Sequence, residues 1–106
     1  MIEIDVDELA ERLPEGARLI DVREPDEYEA GHVPGAISIP LATVPDQLDQ
    51  LDPSGPTYMI CGSGGRSRRA CEFVEAQTGR QTVNVDGGTK AWIASGRPTV
   101  AGDRPA

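Results

Sequence analysis

The stretch "TYMICGSGGRSRRACEFV", Thr57 to Val74, changes character twice within 18 residues. Thr57–Cys61 is an apolar run of strand length. Gly62–Gly65 is built only of glycine and serine. From Ser67 the pattern becomes helical, with Ala70, Phe73 and Val74 on one side. The reading is a strand that enters a helix through a small-residue loop, with Cys61 at the junction.

Working outward, the same alternation recurs. Upstream, Ile2–Ile4 reads as a short strand, and Asp5 can cap a helix with Glu8 in the reciprocal position. Val6, Leu9, Ala10 and Leu13 supply its apolar face, and Pro14, Glu15 and Gly16 stop it. Arg18–Val22 is a strand of buried type. Pro25 opens a short helix through Tyr28 and Ala30, closed by Gly31. Ala36–Ile39 is a strand, and Pro45 opens a helix with Val44, Leu48 and Leu51 as its apolar side. Pro53–Pro56 is a turn. Downstream, the helix from Ser67 ends near Gly79, Gln81–Val85 is the last strand, and a final helix lies between the Gly87–Gly88 pair and Gly96. Five strands separated by helices, at intervals too long for hairpins, predict an α/β fold. Its sheet is five-stranded and mostly parallel, with helices on both faces. Ligands of such sheets sit beyond the carboxyl ends of strands, where Cys61 stands.

The 106-residue length fits one domain, drawn here over residues 1–100, with 101–106 as a loose C-terminal tail. The net charge of −8 argues against nucleic acid as a partner, because phosphates call for a basic surface. No apolar run approaches the ~20 residues that span a bilayer, so no membrane partner is expected. The acidic, amphipathic N-terminus resembles neither a signal peptide nor a transit peptide, and the expected location is cytoplasmic. Two cysteines, Cys61 and Cys71, are too few for a disulfide scaffold, and a single histidine, His32, cannot anchor a common zinc site.

The chemistry concentrates in the loop. Gly62, Gly64 and Gly65 can turn successive backbone N–H groups toward one point and so form an anion-binding nest. The start of the following helix adds partial positive charge there. A thiol so placed is acidified. Arg66 can close the cradle, and Arg68 and Arg69 add positive charge to an otherwise acidic chain. The loop can thus hold a thiolate, a persulfide or a bound anion. The bland alternative is a buried strand-end Cys61 followed by a flexible connection, which would not need three arginines at its exit. A nucleotide phosphate loop would need Lys followed by Ser or Thr after the glycines, and the order here does not fit.

Three segments carry a resemblance. "CGSGGRS", Cys61–Ser67, resembles the active-site loop of the rhodanese family of sulfurtransferases. "LIDVREPDEYEAGHVPGAISIP", Leu19–Pro40, resembles that family's N-terminal signature, and "VDGGTKAWIASGRP", Val85–Pro98, its C-terminal one. The resemblance implies a single rhodanese-like catalytic domain standing alone, in which Cys61 receives a sulfane sulfur as a covalent persulfide. Gly62, Ser63, Gly64, Gly65, Arg66 and Ser67 would then bind substrate. It implies a small donor anion such as thiosulfate, and a thiol, cyanide or a protein as sulfur acceptor. A low-molecular-weight persulfide or a desulfurase protein is a further candidate donor; mercaptopyruvate fits less well, because relatives specific for it usually have a different loop and a second domain. No metal or organic cofactor is required for such a transfer.

Other residues are weighed by their packing. Asp21 and Arg23 are expected to form a structural pair at a strand end. His32 could act as a general base, but a thiolate held by backbone amides needs none, and a structural role is expected. Gly31, Pro34 and Gly35 read as turn residues, with Glu27 and Tyr28 tying that turn down. Trp92 is expected in the core. Lys90 reads equally as an anion contact or a solvated residue. Cys71 reads as a small buried helix residue rather than a resolving thiol. Two rivals remain. One is a sulfur-carrier or protein-interaction domain without turnover of its own. The other is a cysteine phosphatase, for which four residues between Cys61 and Arg66 make a small cradle.

Overall fold

The computed structural model describes residues 1–51 and 54–106. Its five strands are β1 (Ile2–Ile4), β2 (Arg18–Asp21), β3 (Ile37–Ser38), β4 (Thr57–Ile60) and β5 (Thr82–Val85). They form one sheet in the order β1-β5-β4-β2-β3, and every pairing is parallel. The helices are α1 (Val6–Arg12), α2 (Pro25–Ala30), α3 (Gly65–Thr78) and α4 (Gly88–Ala94). Consecutive parallel strands need a crossover between them, which is why helices and strands alternate along the chain.

Side chains alternate across the sheet and build a core on each face. One core joins Leu19, Ile60, Val83 and Val85 to Leu9, Tyr28 and Trp92 from α1, α2 and α4. The other joins Ile20, Met59 and Cys61 to Ala70, Cys71 and Val74 of α3 and to Val44 and Leu51. Cys61 therefore faces α3. In β5 the same alternation sends Val83 and Val85 to the first core, leaving Thr82 and Asn84 on the α3 side with polar partners.

Local chemistry accounts for the helix ends. Asp5 caps α1 by accepting the Glu8 N–H at 2.9 Å. At the start of α2, Glu24 and Glu27 form a reciprocal capping box, which the sequence reading had not assigned. Gly79, with φ 71°, ends α3.

Three elements differ from expectation. The helix expected from Pro45 is absent. In its place stand two 3-10 segments, Leu41–Asp46 and Leu48–Gln50, separated by Gln47 at φ −128°. Pro45 falls inside the first of these segments rather than at the start of a helix, and Gln47 leaves helical geometry, so the chain closes short i→i+3 turns, with Gln47 N–H on Val44 O at 3.0 Å. Val44 and Leu51 still enter the core. The strand expected over Ala36–Ile39 shrinks to Ile37–Ser38: Ala36 N–H is turned back onto Val33 O, while Ile39 N–H still donates to Asp21 O at 3.0 Å. Helix α3 starts at Gly65, two residues before Ser67, since Gly64 at φ 114° makes the turn and its carbonyl accepts Arg68 N–H. The expected Pro53–Pro56 turn falls partly on Pro53, outside the described residues.

The segment 101–106 is exposed throughout. Two of its backbone groups nevertheless bond to the domain: Gly102 N–H to Glu29 O, and Gly35 N–H to Pro105 O, both at 2.9 Å. No helix among the described residues is long and apolar enough to cross a membrane.

Candidate active site

Cys61 follows β4 directly, and the residue is 1% exposed. The backbone N–H of Gly64 reaches its Sγ at 3.1 Å, and the Ser67 hydroxyl approaches at 3.3 Å. Burial pushes the thiol pKa up. The Ser67 hydroxyl and the backbone N–H groups of Ser67, Gly64 and Ser63 outweigh that, so the net shift is downward. Of the loop residues singled out in the sequence, Ser63, Gly64 and Ser67 converge on this sulfur. Gly62 and Gly64 are buried, Ser63 and Gly65 are exposed, and Gly65 already belongs to α3.

The loop is held open from behind by the turn into α4. Thr89 N–H donates to Cys61 O at 2.8 Å, and Lys90 N–H to Gly62 O at 3.0 Å. With these carbonyls engaged on the outside, the loop N–H groups are free to face the sulfur. The close approach depends on Gly88, which has φ 61°. A Cβ there would lie 2.5 Å from Cys61 O and 2.6 Å from Gly62 O. Gly87–Gly88 is thus more than the tight turn the sequence suggests. Lys90 contributes its backbone to the site, and its side chain is exposed.

Ser67 ties the sulfur to a residue the sequence reading passed over. Its Oγ lies 2.5 Å from Asn84 Oδ1 and 3.2 Å from Gly64 O. Asn84 Nδ2 donates to Glu3 Oε2 at 2.9 Å and to Gly64 O at 3.2 Å, which fixes the amide so that its oxygen faces Ser67. A hydroxyl has one proton, so Cys61 Sγ, Asn84 Oδ1 and Gly64 O compete for it. The available signal was a lone Asn inside the apolar strand "TVNV": a buried amide needs partners, and this one finds them at the candidate nucleophile.

The charged residues fall into pairs. Arg66 does not lie free over the cradle. Its guanidinium forks onto the Glu27 carboxylate, Nη1 to Oε1 at 2.7 Å and Nη2 to Oε2 at 3.0 Å. That hydrogen bonding holds the Glu27 pKa at about 2. Arg68 pairs with Glu3 at 2.6 Å, and Arg69 lines a groove with Leu41, Val44 and Phe73. The three arginines that look like one basic cluster in the sequence therefore point to three different surroundings. Asp21 and Arg23 form the expected buried structural pair, with Arg23 Nη2 also on Gly31 O at 2.8 Å.

His32 is fully buried, stacked on Tyr28 at 3.7 Å, with Nδ1 at 2.8 Å from Tyr28 O. That is a structural position, sealed from solvent. Trp92 is in the core, with Nε1 donating to Pro98 O at 2.8 Å. Cys71 is also fully buried, and burial raises its thiol pKa to about 11. No cluster of His, Cys, Asp and Glu able to hold a metal occurs among the described residues.

The rhodanese-like domain family matches residues 5–95. A sulfurtransferase from Allochromatium vinosum is 34% identical over 101 residues, covering 93% of this chain and 94% of the relative. The crystal structure of a rhodanese-related protein from Thermoplasma volcanium superposes with TM-score 0.87 at 32% identity, covering 96% of this chain and all of that one. A thiosulfate sulfurtransferase from Pseudomonas aeruginosa matches 96% of this chain with TM-score 0.84 and 34% identity, although the match spans only 20% of that longer protein. The parallel sheet, the strand-end cysteine loop and these matches agree: the chain belongs to the rhodanese-like domain family.

Proposed function

We propose that this protein is a sulfurtransferase that carries sulfur on Cys61. The family and its sulfurtransferase-named relatives support sulfur transfer in general. The observation that carries the finer reading is the convergence of the Gly64 N–H and the Ser67 hydroxyl on a single acidified sulfur. In the first step the Cys61 thiolate attacks the outer sulfur of a donor such as thiosulfate or a low-molecular-weight persulfide. One S–S bond forms and another breaks, and the leaving group (sulfite or a thiolate) departs with the electron pair. In the second step a thiol, cyanide or protein acceptor takes the terminal sulfur. This is covalent catalysis through an intermediate, with the loop amides stabilising anionic sulfur in both states. These residues need no cofactor for either step.

Intact-mass measurement after exposure to thiosulfate or a persulfide should show one added sulfur, lost on treatment with cyanide and absent in Cys61→Ser. An unmodified wild-type protein with every donor would overturn the proposal. Continued thiocyanate release at low enzyme concentration separates an enzyme from a carrier: a carrier loads once and stops.

A further inference from the structure

The rim of the cradle carries an ion pair for which the two-step transfer has no role. Arg66 sits where α3 leaves the loop, and its Nη2 lies 3.1 Å from the position a Cβ on Gly62 would take. Its positive charge is thus over the loop. Glu27 of α2 meets it with both carboxylate oxygens, at 2.7 and 3.0 Å, the strongest arrangement available to this pair. The two side chains are 38% and 36% exposed, so the pair borders solvent rather than the core. Glu27 is also fixed from its own helix, since its Oε1 accepts the Glu24 N–H at 3.0 Å.

Two neighbouring charge pairs are balanced in the same way, while Arg69, in the groove with Leu41, Val44 and Phe73, has no carboxylate partner among the described residues. Asp21 and Arg23 neutralise each other, and Arg68 is taken by Glu3. At the back of the loop, Asp86 Oδ1 lies 3.6 Å from where a Cβ on Gly64 would stand, adding a carboxylate. An entering anion is therefore offered backbone N–H groups but no uncompensated guanidinium at Arg66. Its repulsion by the Glu27 carboxylate grows in proportion to its charge. We propose that Glu27 is a specificity-determining residue. It selects sulfane-sulfur donors with one negative charge at the reacting end, of the persulfide (R–S–S⁻) or thiosulfonate (R–SO₂–S⁻) type, over dianionic thiosulfate. The inference rests on Cys61 being the sulfur acceptor. For a thiosulfonate, the Cys61 thiolate bonds to the outer sulfur, the bond to the sulfonyl sulfur breaks, and a sulfinate leaves with the electron pair. Charge is conserved, with one anion on the protein and one released.

The test compares thiosulfate with sodium methanethiosulfonate, which has the same sulfonyl-bound outer sulfur but a methyl group in place of one anionic oxygen. In Glu27→Gln the carboxylate charge is lost, while an oxygen remains to accept the Glu24 N–H or an Arg66 N–H. The ratio of kcat/KM for thiosulfate to that for methanethiosulfonate should rise about tenfold in the variant. Taking the ratio within each protein cancels the folded fraction, and comparing the ratios of wild type and variant cancels the donors' intrinsic reactivities. Glu27→Asp, which keeps the charge, should retain the wild-type ratio, and Glu27→Ala should shift it in the same direction as Gln. If both donors load Cys61 and the ratio is the same in wild type and Glu27→Gln, the assignment of Glu27 is overturned while the sulfur-transfer reading stands. If neither donor adds sulfur to wild-type Cys61, both fall.

Discussion

Two thiols in this chain are equally hidden from water and shifted in opposite directions. Cys71 of α3 lies in an apolar cluster, where burial outweighs a hydrogen bond with Thr82 and raises its pKa to about 11. Cys61 suffers the same burial, but hydrogen bonds from Ser67 and the loop amides reverse its effect. Partners rather than exposure decide which sulfur is a nucleophile. A titration followed by thiolate ultraviolet absorbance should therefore show two steps. The lower, below the ordinary thiol range, should vanish in Cys61→Ser, and the upper in Cys71→Ala. Ser67→Ala should move the lower step upward, and no movement would remove Ser67 from the stabilising set. Cys71→Ala should keep sulfur transfer and lose about 1 kcal/mol of stability. The raised pKa also has a sign for folding. Below about pH 9 both folded and unfolded Cys71 are protonated, and its contribution is complete. Between 9 and about 11 the unfolded thiol ionises while the folded one does not, so stability falls as pH rises through that window. The urea midpoint should decline there more steeply in wild type than in Cys71→Ala.

Between elements, the site depends on the contact of the α4 turn with the back of the cysteine loop. "CGSGG" was legible as a nest because its glycines follow one another in the chain. The role of Gly88 was not. A Gly-Gly pair before a helix looks like a turn, and only the fold brings it within 2.5 Å of Cys61 O, measured from a would-be Cβ. Gly88→Ala should thus act on the loop rather than on α4 alone. The overlap is with backbone, which cannot swing aside as a side chain can, and φ is positive besides. A destabilisation of about 2–3 kcal/mol is expected from strain and overpacking combined. Sulfur loading of Cys61 should fall even in the folded fraction. A variant as stable and as active as wild type would show that the loop does not need this support. The segment 41–50 was misread for a related reason. Its apolar spacing matches a helix, but spacing does not show the backbone break at Gln47, φ −128°, that divides the segment into two short 3-10 turns.

Across the whole molecule, the alternation of strands and helices was legible because each element declares itself within a few residues. Charge pairing was not. Arg68 finds Glu3 across 65 residues and Arg66 finds Glu27 across 39, so the sequence counts the charges without saying which cancel. This changes what the net charge of −8 means for an anionic donor. Were the three arginines unpaired at the loop, they would draw a dianion in, and added salt would screen the attraction and slow association. With Arg66 and Arg68 neutralised by their own carboxylates, what a distant dianion meets is the acidic surface. Screening by salt then weakens a repulsion, over a Debye length of about 10 Å at 0.1 M. For thiosulfate, kcat/KM at constant pH should rise a few-fold as sodium chloride is raised from low to near-physiological levels. An uncharged salt-free osmolyte at matched osmolarity should have no such effect. A decrease with salt would mean that basic residues steer the donor after all, and would return Arg66 to the role of anion recruiter that its place in the loop first suggests.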